Sequence, residues 1–323
     1  MSLAQASAQP RLFERRTFFQ RFGLVFSFLL LVIALSLLSD RFLTPTNLIN
    51  VLRQATINGI ISVGMTLVIL TGGIDLSVGS VLALSVTLGA SLMKQGQPVA
   101  LAVVAALGCG TFLGMINGLM ITRAKIPPFI ATLGMLTVAR GLTLMYTQGQ
   151  PITGLPPTFR WIGAGLVGAI PVPIVLTLVV FLGGVIFLSR TKYGAQIYLM
   201  GDNPTAAKLA GVPTERLTVL VYALSGFCAA LAGLVLVARL DSAQPIIGQG
   251  YEFNAIAAVV VGGTSFAGGE GGLGGTLLGA LLIETLNNGL NLLNVSPLWE
   301  QVVKGVVIAL ALLLHKAFSP PTK

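Results

Sequence analysis

The sequence predicts an all-α, polytopic transmembrane helical bundle of about ten spans, and three observations carry that prediction. Hydrophobic residues make up 54% of the chain and charged residues only 9%, where a soluble domain carries roughly a quarter charged. Lipid must therefore be the solvent for most of the exterior. The apolar runs are long and continuous, as in Phe22–Leu38 and Val172–Leu188. Barrel strands would alternate polar and apolar residues over about ten positions, so these runs read as helices that satisfy their own backbone groups. Finally, the basic residues behind the net charge of +9 sit between the apolar runs. They form no basic stripe with aromatics, which argues against nucleic acid as a partner.

A span needs about twenty mostly apolar residues. The first candidate, 22–39, follows Arg11, Arg15, Arg16 and Arg21. No small-x-small cleavage site follows Leu38, so it reads as an uncleaved helix rather than a signal peptide. The next two, 48–71 and 77–93, are separated by Thr71-Gly72-Gly73 and Asp75. Candidates 99–122 and 129–147 flank the basic turn at Arg123 and Lys125. Candidate 172–189 follows the Pro- and Gly-rich stretch Gln148–Pro171, and 217–239 follows the basic stretch Ser189–Arg216. The last three are 252–266, 272–292 and 299–316. Glycine interrupts the pattern at Thr71–Ser80 and at Asn254–Gly275, as either a discontinuous helix or a re-entrant element.

Twelve basic residues fall in segments on one side of this topology: Arg11, Arg15, Arg16, Arg21, Arg123, Lys125, Arg190, Lys192, Lys208, Arg216, Lys316 and Lys323. Three, Arg41, Lys94 and Arg160, fall on the other. By the positive-inside rule both termini are expected in the cytoplasm. The expected organisation is a cytoplasmic tail over 1–21, one membrane domain over 22–316 with a cytoplasmic loop at 189–216, and a tail over 317–323. Val68–Gly73 resembles Val259–Thr264, and Asn117-Gly118-Leu119 resembles Asn288-Gly289-Leu290. The pairs suggest an internal repeat, parallel about an axis near the membrane normal.

Little points to an enzyme. Cys109 and Cys228 lie inside apolar segments and make no metal-binding spacing, and His315 closes the last apolar run. The Gly262–Gly272 stretch lacks the Gly-Lys-Ser/Thr ending of a P-loop, and no HExxH or nucleophile elbow occurs.

Three places attract interest instead. Asp75 and Ser77 sit between two apolar runs, where an ionisable group must cap, pair or face water. They serve as caps of a broken helix, as a polar lining, or as both. Glu284, Asn287, Asn288 and Asn291 share one helical face, either as interhelical glue or as a pathway; amide-rich faces suit sugars. Arg140 and Arg239 lie near span ends and are expected to snorkel. In the basic loop, Asp202 or Asn203 suits an N-cap and Pro204 the first turn. Gly211 suits the closing cap. Such a short helix is shaped to dock onto something outside its own bundle.

The run Gly64–Ser80 (GMTLVILTGGIDLSVGS) resembles the signature of sugar permeases of bacterial ABC importers, the ribose permease family. Phe129–Leu133, Ser242–Pro245, Gly250–Glu252, Ala255–Val260 and Asn287–Leu293 also match. The resemblance runs from about Phe42 onward. It implies a homodimeric, multi-pass permease of the bacterial inner membrane, with ribose as the first-choice substrate and no cofactor in this chain. A cytoplasmic ATP-binding subunit would supply energy, and a periplasmic sugar-binding protein would deliver substrate. It places ATPase coupling on Asp202, Asn203, Ala206, Ala207 and Gly211. Asp75, Ser77, Asn287, Asn288 and Asn291 are the candidates for the substrate path. The competing reading is an ion-coupled secondary sugar transporter, for which Asp75 and Glu284 are the candidate carboxylates.

Overall fold

The computed structural model describes residues 9–296 together with 299, 302, 303, 305 and 306. Over residues 9–296 twelve helices follow in order: α1 (Gln9–Leu38), α2 (Pro45–Leu70), α3 (Val78–Lys94), α4 (Val99–Thr122), α5 (Pro128–Thr147), α6 (Pro157–Ala164), α7 (Val172–Arg190), α8 (Lys192–Asp202), α9 (Pro204–Leu209), α10 (Thr214–Leu240), α11 (Tyr251–Val261) and α12 (Leu273–Leu292). Four two-residue strands accompany them: β1 (Ile152–Thr153), β2 (Leu166–Val167), β3 (Ile170–Pro171) and β4 (Ser242–Ala243). β1 pairs antiparallel with β4, and β2 with β3. Nine of the expected spans are helices. The tenth, 299–316, lies mostly outside the described residues, as do His315, Lys316 and Lys323.

Several boundaries follow from local chemistry. Pro45 starts α2 at a position that needs no N–H, and the Thr44 hydroxyl accepts from the Asn47 amide at 3.4 Å. At the other end the amide of Gly72 donates to the Ile69 carbonyl and that of Gly73 to Val68. The close of α11 repeats this pattern, with Gly263 donating to Val260 and Thr264 to Val259. Both are Schellman closures, which satisfy carbonyls that a bare helix end would leave open. The two stretches that look alike in sequence are thus closed alike. Helix α11 ends at Val261, short of the expected 266, because this closure takes Gly262 to Thr264 out of the helix.

Among the described residues five helices, α2, α4, α5, α7 and α10, are long and apolar enough to cross a membrane, and α3, α11 and the Gly23–Leu38 part of α1 are shorter apolar helices. Helices α2 and α10 are mostly buried, whereas only a minority of α4, α5 and α7 is buried. Helices α4 and α7 turn Val104, Phe112, Val179 and Leu182 outward. Apolar side chains on the outside are expected when lipid is the solvent.

The most extensive contact joins α4 to α10. The buried side of α4 carries Ala102, Ala106, Gly110, Gly114 and Gly118, one small residue every four positions. A Cβ on Gly114 would meet the Tyr222 carbonyl oxygen at 2.1 Å, and one on Gly110 would meet that of Gly226 at 2.5 Å. Two backbones touch here, which only small residues allow.

Candidate coupling and translocation site

One end of the bundle is built around α8 and α9. Asn203 N-caps α9, its Oδ1 accepting from the Ala206 amide at 2.9 Å, with Pro204 in the first turn. Asp202 closes α8 instead of capping α9. The Gly211 amide donates to Lys208 and the Val212 amide to Ala207, with Gly211 at φ +79°. Asp202, Asn203, Ala206 and Gly211 are exposed, but Ala207 is fully buried and seats the helix on the bundle. Leu209 is 86% exposed, the most exposed large apolar side chain among the described residues. Sequence reading passed over it, although an apolar residue in a short polar helix was the available signal.

Helix α8 fixes α9 to the glycine breaks. A Cβ on Gly201 would lie 1.9 Å from the Leu70 carbonyl oxygen and 2.3 Å from the Gly269 nitrogen. The Gly269 amide itself donates to that Leu70 oxygen at 3.0 Å. The Tyr198 hydroxyl donates to the Gly271 carbonyl at 3.0 Å, and burial raises its pKa, so the phenol keeps its proton. The end of α2, the α11–α12 turn and the loop helices therefore meet at one junction.

Between α2 and α3 the chain folds back into the bundle. Asp75 is 1% exposed. Its Oδ1 accepts from the Ser77 amide at 3.0 Å and hydroxyl at 2.6 Å, and its Oδ2 from the Ser225 hydroxyl at 2.8 Å. The Ser77 hydroxyl in turn accepts from Asn117 Nδ2 at 2.9 Å. Ser77 is the N-cap of α3 by position but makes no capping bond of its own. The Ile74 carbonyl accepts from the hydroxyls of Thr132 and Tyr222. Four helices, α3, α4, α5 and α10, are tied together at this break.

The asparagine face of α12 acts partly as glue. Asn288 and Asn47 exchange two amide hydrogen bonds, at 3.0 and 2.9 Å, joining α12 to the start of α2. Asn287 Nδ2 donates to Glu284 at 3.3 Å, and Asn291 Nδ2 to the Asn287 carbonyl at 3.0 Å. Asn287 and Asn288 are buried and Asn291 is exposed.

At the opposite end the long 148–171 stretch is clamped to the segment after α10. β1–β4 pairing, the Leu155 amide on Asp241 Oδ1 at 2.9 Å, and the Arg160–Asp241 ion pair at 3.6 Å make the clamp. A cavity of about 480 Å³ opens here beside Ser91, Lys94, Gln95, Tyr146, Gln150 and Thr153. Arg140 does not snorkel outward as expected. It is half-buried and donates to the carbonyls of Pro245 and Ile247, in the break between α10 and α11, and approaches that of Gly79 in the first turn of α3. Arg239 likewise turns inward, to the Arg53 carbonyl within α2, at 3.4 Å. Backbone carbonyls inside an apolar bundle offer a guanidinium nearer partners than a distant interface does. No group of metal-binding side chains occurs among the described residues.

Residues 47–312 match the family described as branched-chain amino acid transport system / permease component. The chain is 51% identical over 299 residues to the ribose import permease protein of Bacillus subtilis, covering 92% of this chain and 93% of the relative. It is 47% identical over 290 residues to that of Escherichia coli K12, covering 88% and 90%. The D-allose transport system permease protein of Escherichia coli K12 is 36% identical over 316 residues, 97% of each chain. No solved structure matches the chain. A chain matched over most of its length by import permeases, with a polytopic helical fold, belongs to this family of transport-system permease components.

Proposed function

We propose that this chain is the translocation subunit of an ATP-driven importer of ribose or a closely similar monosaccharide in the bacterial inner membrane. The supporting observation is α9: a capped, exposed helix carrying Leu209, joined through α8 to the junction where both glycine breaks end. An exposed apolar residue on a rigid polar element fits a partner surface better than water. The chain has no P-loop of its own, so the energy source is a separate cytoplasmic ATP-binding subunit. Asp202, Asn203, Ala206 and Gly211 form its docking surface, with Ala207 holding α9 from beneath. Two copies of the chain form the path. A periplasmic sugar-binding protein delivers the sugar over the clamped 148–171 end, and both termini lie in the cytoplasm. Asp75 and Ser77, together with Asn287, Asn288 and Asn291, shape the path. Asn291 is the one of these exposed enough to meet sugar directly, while Asp75 acts through the break it holds.

Co-reconstitution with the ATP-binding subunit and the sugar-binding protein of a bacterial ribose importer tests this reading. Ribose uptake should require both partners and ATP. Uptake at full rate by this chain alone, down a gradient, would overturn it.

The α9 surface has its own test. Leu209→Asp should abolish uptake while leaving thermal stability within about 0.5 kcal/mol, as expected of an exposed site. Gly211→Trp should also abolish uptake, since left-handed backbone costs a residue with a Cβ about 1–2 kcal/mol and the ring covers the docking face. Normal ATP-driven uptake by either variant would place the docking surface elsewhere.

A further inference from the structure

Arg140 joins two segments that lie 166 residues apart in sequence. Its Nη1 donates to the carbonyls of Pro245 at 2.7 Å and Ile247 at 3.0 Å, and its Nη2 lies 3.5 Å from that of Gly79. Pro245 and Ile247 belong to the irregular segment between α10 and α11, and Gly79 to the first turn of α3. Here the two backbones touch. A Cβ on Gly79 would lie 2.1 Å from the Gly248 carbonyl oxygen and 2.6 Å from Glu252 Oε2. Glu252, buried in the first turn of α11, accepts from the Gly250 amide at 3.3 Å.

This contact is also a boundary. A cavity of about 250 Å³ ends on Gln244, Pro245 and Ile246. Ile246 is 60% exposed, whereas its neighbour Ile247 is 8% exposed. The segment that Arg140 holds therefore passes from the surface to the buried core between two neighbouring residues. We propose that Arg140 is a positioning residue for transport: it latches the 241–250 segment onto the start of α3 and keeps this end of the path shut. A planar guanidinium can reach three carbonyls at once, and an ammonium cannot do so in the same geometry. Opening requires those bonds to be released together.

The transport role rests on the permease reading, but the test does not. The reporter is Ile247→Cys in a chain with Cys109→Ala and Cys228→Ala, held in lipid nanodiscs and exposed to a water-soluble maleimide. Losing even one hydrogen bond to a charged group shifts an opening equilibrium by on the order of tenfold. Arg140→Ala should therefore speed labelling of Ile247→Cys at least that much, and Arg140→Lys should fall between. General loosening is read from the native buried Cys228 in a chain with only Arg140 and Cys109 changed, and its labelling should stay slow. If Arg140→Ala does not fold, Arg140→Lys carries the comparison. Unchanged labelling of Ile247→Cys in a folded variant overturns the latch. So does equal acceleration at Cys228, which would make Arg140 a packing residue only. Failure of the wild-type complex to take up sugar would instead strike the permease reading and leave the labelling result intact.

Discussion

Gly201→Ala should uncouple the loop helices from the membrane domain, with ATP-driven uptake falling to background. The added methyl has nowhere to go. It would sit 1.9 Å from the Leu70 carbonyl oxygen and 2.3 Å from the Gly269 nitrogen, both backbone atoms. Flexible side chains could turn aside, but here α8 must lift or the Gly269–Leu70 hydrogen bond at 3.0 Å must break. Overpacking of this kind costs about 1–3 kcal/mol. The displacement falls where α2, the α11–α12 turn and α8 meet, so α9 moves with it. Gly211→Ala is the contrast, because a Cβ there meets nothing within 4 Å and only the φ of +79° opposes it. Thermal melts and uptake measured together should show Gly201→Ala losing both and Gly211→Ala losing less of each. If Gly201→Ala transports normally, the junction is not the route by which α9 acts.

How far the sequence reveals this arrangement depends on the range of the interaction. Span positions are local properties of composition, so 99–122 and 172–189 agree with α4 and α7 to within one residue. The α9 caps are equally local: Asn203, Pro204 and Gly211 each do what their chemistry favours. The small residues of α4 at 102, 106, 110, 114 and 118 form a four-residue period that sequence reading passed over, and they mark the helix that packs most extensively on α10. Helix α8 was hidden because its polar sequence gives no membrane signal.

The long-range partners were not legible. Asn288 could be recognised as polar glue, but nothing near it in sequence points to Asn47, 241 residues away. Arg140 near a span end has the pattern of a snorkelling residue. Only the return of the 241–250 segment into the bundle brings the Pro245 and Ile247 carbonyls within its reach. The fold-back between α2 and α3 likewise brings Asp75 to Ser225, 150 residues on. Broken helices create backbone demands inside the bundle, and the residues that meet those demands come from wherever the fold brings them.

Asp75 also allows the sharpest separation of two transport mechanisms. Asp75→Ala should be poorly folded, because it strips the acceptor from the Ser77 amide, the Ser77 hydroxyl and the Ser225 hydroxyl at once. Each buried group left without a partner costs about 1–3 kcal/mol. Asp75→Asn keeps the shape and one acceptor oxygen. Its amide can face Ser225, whose hydroxyl turns to accept instead of donate. Asp75→Asn should therefore fold and retain most ATP-driven uptake. A carboxylate that carried protons across the membrane would give a different result, since an amide cannot take up or release a proton at any pH the cell meets. Loss of uptake in a fully folded Asp75→Asn would then assign the charge itself a role in transport. Retained uptake, with Asp75→Ala unfolded, would confine Asp75 to holding the α2–α3 break in the shape that α3, α4, α5 and α10 are built around.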